Sequence, residues 1–233
     1  MTTQHTTRPP RPKRVGVWGW LMQTTVGNVF RFIGWSLIAI GVSILVEWVG
    51  MVKFWGPDHS RKILELEITY LGAYNRNLIT GLYPQDVAVT FMTWADKAVS
   101  ILHLREVSNW FAGDVNSVTQ VIAYGLDAMI NTIFIFAVRS AICISAMSGF
   151  VLVGLVAFID GLVERDIRKA CGGIESAMLY HRAKRIVVPT LFLSFGGYLT
   201  APISIHPTLV FLPVMTVFAV AVFVTAKSFK KFL

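Results

Sequence analysis

Glu175 and His181 are residue types that ligate divalent metals or shuttle protons. Six residues apart on a helix, they project ~240° apart around the axis, so one ion would not reach both. His59, His103 and His206 are scattered along the chain without metal-ligand spacing. No Ser-His-Asp order, P-loop or Gly-rich dinucleotide turn is present. Glu47 and Arg139 raise a different question, because each interrupts a long apolar run. A charge in such a run is costly and takes a partner or faces a cavity. Both fall near the outer ends of their runs, which suggests an intramembrane pair, Glu47 with Arg139. An ion or proton path and snorkelling to the headgroups are the other readings.

Asp160-Gly161 followed by Arg165 is the opening of the motif used by CDP-alcohol phosphatidyltransferases. That chemistry needs further aspartates downstream to hold divalent metal against a pyrophosphate. Here the downstream residues are Gly172, Gly173, Ile174 and Glu175, with no Asp pair. The pattern fails where the metal would bind. No catalytic group, cofactor or metal is therefore expected.

The elements that carry these residues are read from composition and charge. Of 233 residues, 55% are hydrophobic and 15% charged, with a mean hydropathy of +0.61. Soluble domains carry about 25% charged residues, so a polytopic membrane protein is expected. The net charge of +8 is unevenly spread. The N-terminal arm (Arg8, Arg11, Lys13, Arg14), residues 160–185 and the tail (Lys227, Lys230, Lys231) are strongly basic together, whereas residues 53–127 are slightly acidic. Basic segments stay in the cytoplasm, so direct nucleic-acid binding is not expected and the lipid bilayer is the first partner. Neither Cys143 nor Cys171 falls in the presumed external segment, so no structural disulfide is expected.

The expected fold class is all-α, with four transmembrane helices and both termini in the cytoplasm. Residues 1–28 form a disordered basic arm, and 29–52 the first span, an uncleaved anchor. Residues 53–138 form a periplasmic helical segment. Asp58 or Ser60 caps its first helix, whose apolar residues Leu64, Ile68, Leu71 and Leu78 run on to Gly81 and Pro84. A second helix carries Val87, Phe91, Trp94, Ala98 and Ile101 on one stripe. Asn109 to Gly113 reads as a turn, and Asp114 caps a third helix. The apolar stretch from Met129 to Ile159 is one helix of ~46 Å, with its membrane part, the second span, at 139–159. Ala141, Ser145 and Gly149 repeat every four residues, a small-residue stripe for close helix packing within the chain or between copies. Residues 160–185 form a charged cytoplasmic loop, two helical extensions hinged at Gly172-Gly173. Residues 186–226 form a hairpin of two spans in which Pro189 and Pro213 introduce kinks, and 227–233 is a basic tail.

The loop is the most informative segment. Its sequence, DGLVERDIRKACGGIESAMLYHRAKR, holds six basic and four acidic residues, and the 25 residues after it hold none. Positive-inside sorting alone does not require both signs, although an ordinary topogenic loop is the plain alternative. The segment resembles the signature of an inner-membrane protein family of integrative conjugative elements and related plasmids. The matching residues are Asp160-Gly161-Leu162-Val163, Arg165-Asp166 with Arg168, Gly172-Gly173, Glu175-Ser176, Tyr180-His181 and Ala183-Lys184-Arg185. The resemblance implies residence in the bacterial inner membrane and a role in conjugative DNA transfer, associated with type IV secretion. Other conjugation proteins, the coupling ATPase among them, become the expected partners, with a second copy as a further option. Asp160, Arg165, Arg168, Glu175, His181 and Arg185 are the candidate partner-binding residues. The competing function class is a small transporter or permease-like protein, for which the last two spans offer only Ser194, Thr200, Thr216 and Gly196-Gly197 as polar or small residues.

Overall fold

The computed structural model describes residues 17–113, 116–171 and 177–229. Among the described residues every regular element is helical: α1 Val17–Gly50, continued by a π-helical segment Met51–Trp55, α2 His59–Gly72, α3 Pro84–Ile101, α4 Leu104–Ala112, α5 Ser117–Ala170, α6 Ala177–Thr200 and α7 Pro207–Lys227. The chain divides into two units, residues 1–38 and 39–233. In the first, the described part is the beginning of α1. The rest of the fold belongs to the second.

α5 is the axis of that second unit. Its 54 residues make a helix of ~81 Å. The sequence suggested three separate pieces here: a third external helix, the span at 139–159 and the first half of the charged loop. They are one continuous helix because no proline interrupts 117–170, and a single buried glycine costs only about 1 kcal/mol. Asn116 stands at its N-cap. Asp114, the expected cap, and the Gly172-Gly173 hinge lie outside the described residues.

α2, α3 and α4 pack along the first half of α5. α2 ends at Gly72, earlier than the apolar period suggested, because the side chain of Asn77 builds a turn. Its Oδ1 accepts from the backbone N–H of Ile79 and Thr80, and Gly81 follows at φ +69°. The amide of Gln85 donates to the carbonyls of Leu71 and Tyr74 at 3.0 and 2.9 Å, satisfying groups that the helix end leaves open. Asp58 stands at the N-cap of α2 without a side-chain cap bond. Ser60 is buried and accepts from Asn131 of α5. On α3 the buried residues are Pro84, Ala88, Ala95 and Val99, one helical face. Trp94 and Ile101 point outward, so the expected stripe is rotated. Ala88, Ala95 and Val99 are buried, with Val87, Phe91 and Met92 partly buried against the core. The turn expected at 109–113 is the end of α4. The break falls earlier, at His103, which adopts φ +51° and so stops α3.

The second half of α5 packs against α7, and α7 against α6. Along the α5–α7 seam Gly149 faces Met215, Gly154 faces Phe218 and Gly161 faces Ala226, so the two helices run parallel. At Gly161 an added Cβ would lie 2.6 Å from the Ala226 Cβ and 2.7 Å from the Phe223 carbonyl oxygen. Only glycine permits that approach. Phe150, Phe195, Tyr198, Phe211 and Phe218 form an aromatic cluster where the three helices meet.

Among the described residues three stretches are long and apolar enough to cross a membrane: Gly34–Trp55, Ser117–Ala170 and Pro207–Lys227. α6 falls short of the third span expected from residue 186 to residue 204. Its first turns carry His181, Arg182, Lys184 and Arg185, and it ends at Thr200. About fifteen apolar residues remain, roughly 22 Å against a hydrocarbon core of ~30 Å.

Candidate functional site: a buried ion pair and a charged helix end

At the level where α6 turns into α7, one fully buried ion pair ties four segments together. Glu67 of α2 sits on the buried face with Ile63 and Leu71, and Arg139 of α5 lies opposite. Their relative exposures are 0% and 2%. Arg139 donates Nε and Nη2 to Glu67 Oε1 at 3.0 and 2.8 Å. The rest of the guanidinium reaches backbone, with Nη1 on the Ala201 carbonyl at 2.6 Å and Nη2 on that of Ile203 at 2.9 Å. Glu67 in turn accepts from Tyr198 Oη at 2.8 Å and from Ser204 Oγ at 3.1 Å. The Tyr198 ring lies 5.4 Å from the guanidinium carbon. A buried pair of this kind is tolerable only when the remaining donors and acceptors are also met, and here every guanidinium nitrogen and both carboxylate oxygens have a partner.

The suggested pair of Glu47 with Arg139 is therefore not formed. Glu47 takes the imidazole of His59 at 3.1 Å, and Arg139 takes Glu67. The two charges do line one small cavity with Ser43, Thr132 and Pro202, but α2 comes between them in partner choice. It brings Glu67 along α5 and places His59 beside Glu47. Nearby, Trp48 donates its indole N–H to the Gly125 carbonyl at 2.8 Å, a tie from α1 to α5.

The second cluster lies at the far ends of α5 and α7. Glu164 accepts from Lys227 Nζ at 2.9 Å, and Arg168 donates to the Lys227 carbonyl, a cation on an open helix C-terminus. The Lys227 hydrogen bond and charge, assisted by Arg168, hold the Glu164 carboxyl below its ordinary range. The Arg165 guanidinium carbon lies 5.7 Å from the Phe229 ring centroid. Arg165 and Arg168 are thus half-buried clamp residues. Asp160, Asp166, Lys169, His181 and Arg185 are exposed, while Glu175 lies outside the described residues. Along the small-residue stripe, Ala141 is fully buried. The Ser145 carbonyl accepts from Asn77 at 3.0 Å, and Gly149 abuts Met215.

Among the described residues no group of three or more His, Cys, Asp or Glu could hold a metal ion. What the geometry offers is a braced helix end with both charge signs exposed around it. Residues 51–230 match the family model described as DtrJ-like, IncC plasmid conjugative DNA transfer protein DtrJ-like. The chain belongs to the DtrJ-like family. Comparison with curated proteins and with solved structures gives no match. As a DtrJ-like protein, the chain has a role in conjugative DNA transfer.

Sequence reasoning missed Glu67, Tyr198 and Ser204 as partners of Arg139. One signal was present for Glu67. It occupies an inward position of the α2 stripe, between Ile63 and Leu71, where an acidic side chain has to find a buried partner. Nothing comparable marks Ala201 and Ile203, which contribute only backbone carbonyls.

Proposed function

We propose that this DtrJ-like protein is a multi-pass inner-membrane adaptor of the conjugation apparatus. It crosses the membrane four times, keeps both termini in the cytoplasm, and holds a cytoplasmic partner on residues 160–185. The coupling ATPase of the associated type IV secretion system is the partner this reading favours, and the protein has no catalytic step of its own. Membership of a conjugative-transfer family supplies the process. The observation that carries the adaptor role is the clamp at Glu164, Arg168 and Lys227. It fixes the ends of two apolar helices to each other and leaves Asp160, Asp166, Lys169, His181 and Arg185 outward. A topogenic loop has no need of such bracing, whereas a docking surface gains register from a rigid display of charge.

The crossing number also has geometric support. α5 and α7 run parallel, and α6 joins the end of one to the start of the other. It must therefore return through the same height, and its basic first turns can snorkel to the interface to make up its short apolar length. The acidic 53–127 segment against basic arm, loop and tail supports this orientation.

Complementation of a donor strain lacking the gene tests the docking role. His181→Ala with Arg185→Glu alters exposed residues only, so membrane accumulation should stay at the wild-type level while transfer frequency falls. Normal transfer with that double variant would remove the docking role from this surface.

A further inference from the structure

The turn between α2 and α3, residues 73–83, points away from the part of the molecule where an external segment belongs. α2 descends along α5 from Ser60 beside Asn131, through Glu67 on Arg139, to Asn77. There the Asn77 amide donates to the Ser145 carbonyl at 3.0 Å and to Ser148 Oγ at 2.7 Å. The neighbouring residue, Gly149, faces Met215 of α7. α7 begins at Pro207 and runs 21 residues, ~31 Å, which is one hydrocarbon thickness. Met215 is about 12 Å along it at 1.5 Å per residue. The tip therefore sits between the level of the start of α7, where Tyr74 meets Thr208, and that of Met215, beyond the α6–α7 turn that Arg139 holds.

The chemistry of the tip agrees with that depth. Asn77 faces inward, spent on α5 and on its own backbone, while Asn75, Arg76 and Thr80 are exposed beside the apolar residues of the tip. Those apolar residues are open: Leu78 is 92% exposed, and Ile79, Leu82 and Tyr83 are about half exposed. At the same level α5 presents Ile144 and Met147, and α7 presents Leu209 and Leu212, all exposed. These helices are two of those apolar enough to span, so whatever covers them is continuous with what covers the tip. Arg76, the one charge in the turn, folds back to donate to the Gly81 carbonyl. A groove of about 360 Å³ remains between the tip, α5 and α7, open to the side and lined mainly by apolar groups.

We infer that the α2–α3 turn is a re-entrant wedge that inserts into the acyl region of the leaflet on the α6–α7 side, with membrane phospholipid as its partner. The inference rests on the membrane-spanning reading of α7. An irregular turn at membrane depth needs protein partners for its backbone, and the side chains of Asn77, Gln85 and Arg76 meet the backbone groups of Ile79, Thr80, Leu71, Tyr74 and Gly81. The wedge makes α2 and α3 integral to the membrane part of the protein rather than a separate external domain.

Single cysteines at Leu78, Val217 and Val118 test it, in full-length protein carrying Cys143→Ala and Cys171→Ser. Each is labelled with an environment-sensitive fluorophore in phosphatidylcholine vesicles, with and without lipid bearing a nitroxide on its acyl chain. Ile79→Cys is a second probe of the tip. Val217 lies mid-way along α7 and Val118 at the remote start of α5, and both are exposed. The expected result is blue-shifted emission and nitroxide quenching at Leu78 and Ile79 comparable to that at Val217, with neither at Val118. Quenching at Val217 while Leu78 and Ile79 behave like Val118 overturns the wedge and leaves the spanning reading of α7 intact. Absence of quenching at Val217 overturns both.

Discussion

Removing one member of the Glu67–Arg139 pair is the sharpest perturbation this fold offers. Arg139→Leu deletes two hydrogen bonds to the carboxylate and two to the carbonyls of Ala201 and Ile203. It leaves Glu67 buried, with only Tyr198 and Ser204 as donors. Glu67→Gln strands the guanidinium in the same way. Breaking a buried pair from one side typically costs about 3–5 kcal/mol, mostly the penalty of the charge left behind. Once that charge is gone, the second substitution strands no charge, only the neutral partners of the residue removed. Glu67→Met with Arg139→Leu should therefore fall short of the sum of its single variants by at least about 2 kcal/mol, within the range seen for residues in direct contact. Reversible unfolding in mixed micelles, titrated with denaturing detergent, measures the four stabilities of the cycle. Glu47→Gln combined with Arg139→Leu serves as comparison and should be close to additive, since Glu47 is engaged with His59. Coupling within about 0.5 kcal/mol of zero for Glu67 and Arg139 would refute the assignment of the pair.

Two further outcomes follow from the same geometry. Gly161→Ala forces a methyl against the Ala226 Cβ and the Phe223 carbonyl and should cost about 1–3 kcal/mol as an overpacked contact. Gly149→Ala meets only the flexible end of Met215 and should cost less; a detergent melting series ranking the two in the opposite order would contradict the parallel seam. Alkaline phosphatase fused after Gly113 should be active and after Gly172 or Leu233 inactive, and activity at Gly172 would invert the proposed orientation.

The parts of this fold legible in the sequence are those written in hydrophobic run length and charge sign. The apolar lengths of α1, α5 and α7 stand out because each run is long and its charged flanks are abrupt. α6 was over-extended because the residues 201–206, apolar in composition, form the turn that receives Arg139. Partner choice was not legible for Arg139. A charge in an apolar run demands compensation, but Glu67 comes from a stretch that reads as polar and external, and depth alone favoured Glu47. The break at His103 gave no warning, since a left-handed histidine carries none of the glycine or proline signal on which turn reading relies. The charged loop drew attention through composition, yet sequence could not separate the clamp residues Arg165 and Arg168 from the exposed His181 and Arg185. That distinction depends on where the end of α7 lies.

The proposed cytoplasmic docking surface is tested most directly by site-specific photo-crosslinking in conjugating donor cells. A photoreactive amino acid is placed at His181, with Val118 as the remote control. Illumination should join the His181 position to a cytoplasmic or membrane-associated conjugation protein, identified by mass spectrometry, and leave the Val118 position without that adduct. Full transfer activity of the His181 variant with no conjugation protein captured there would contradict the account.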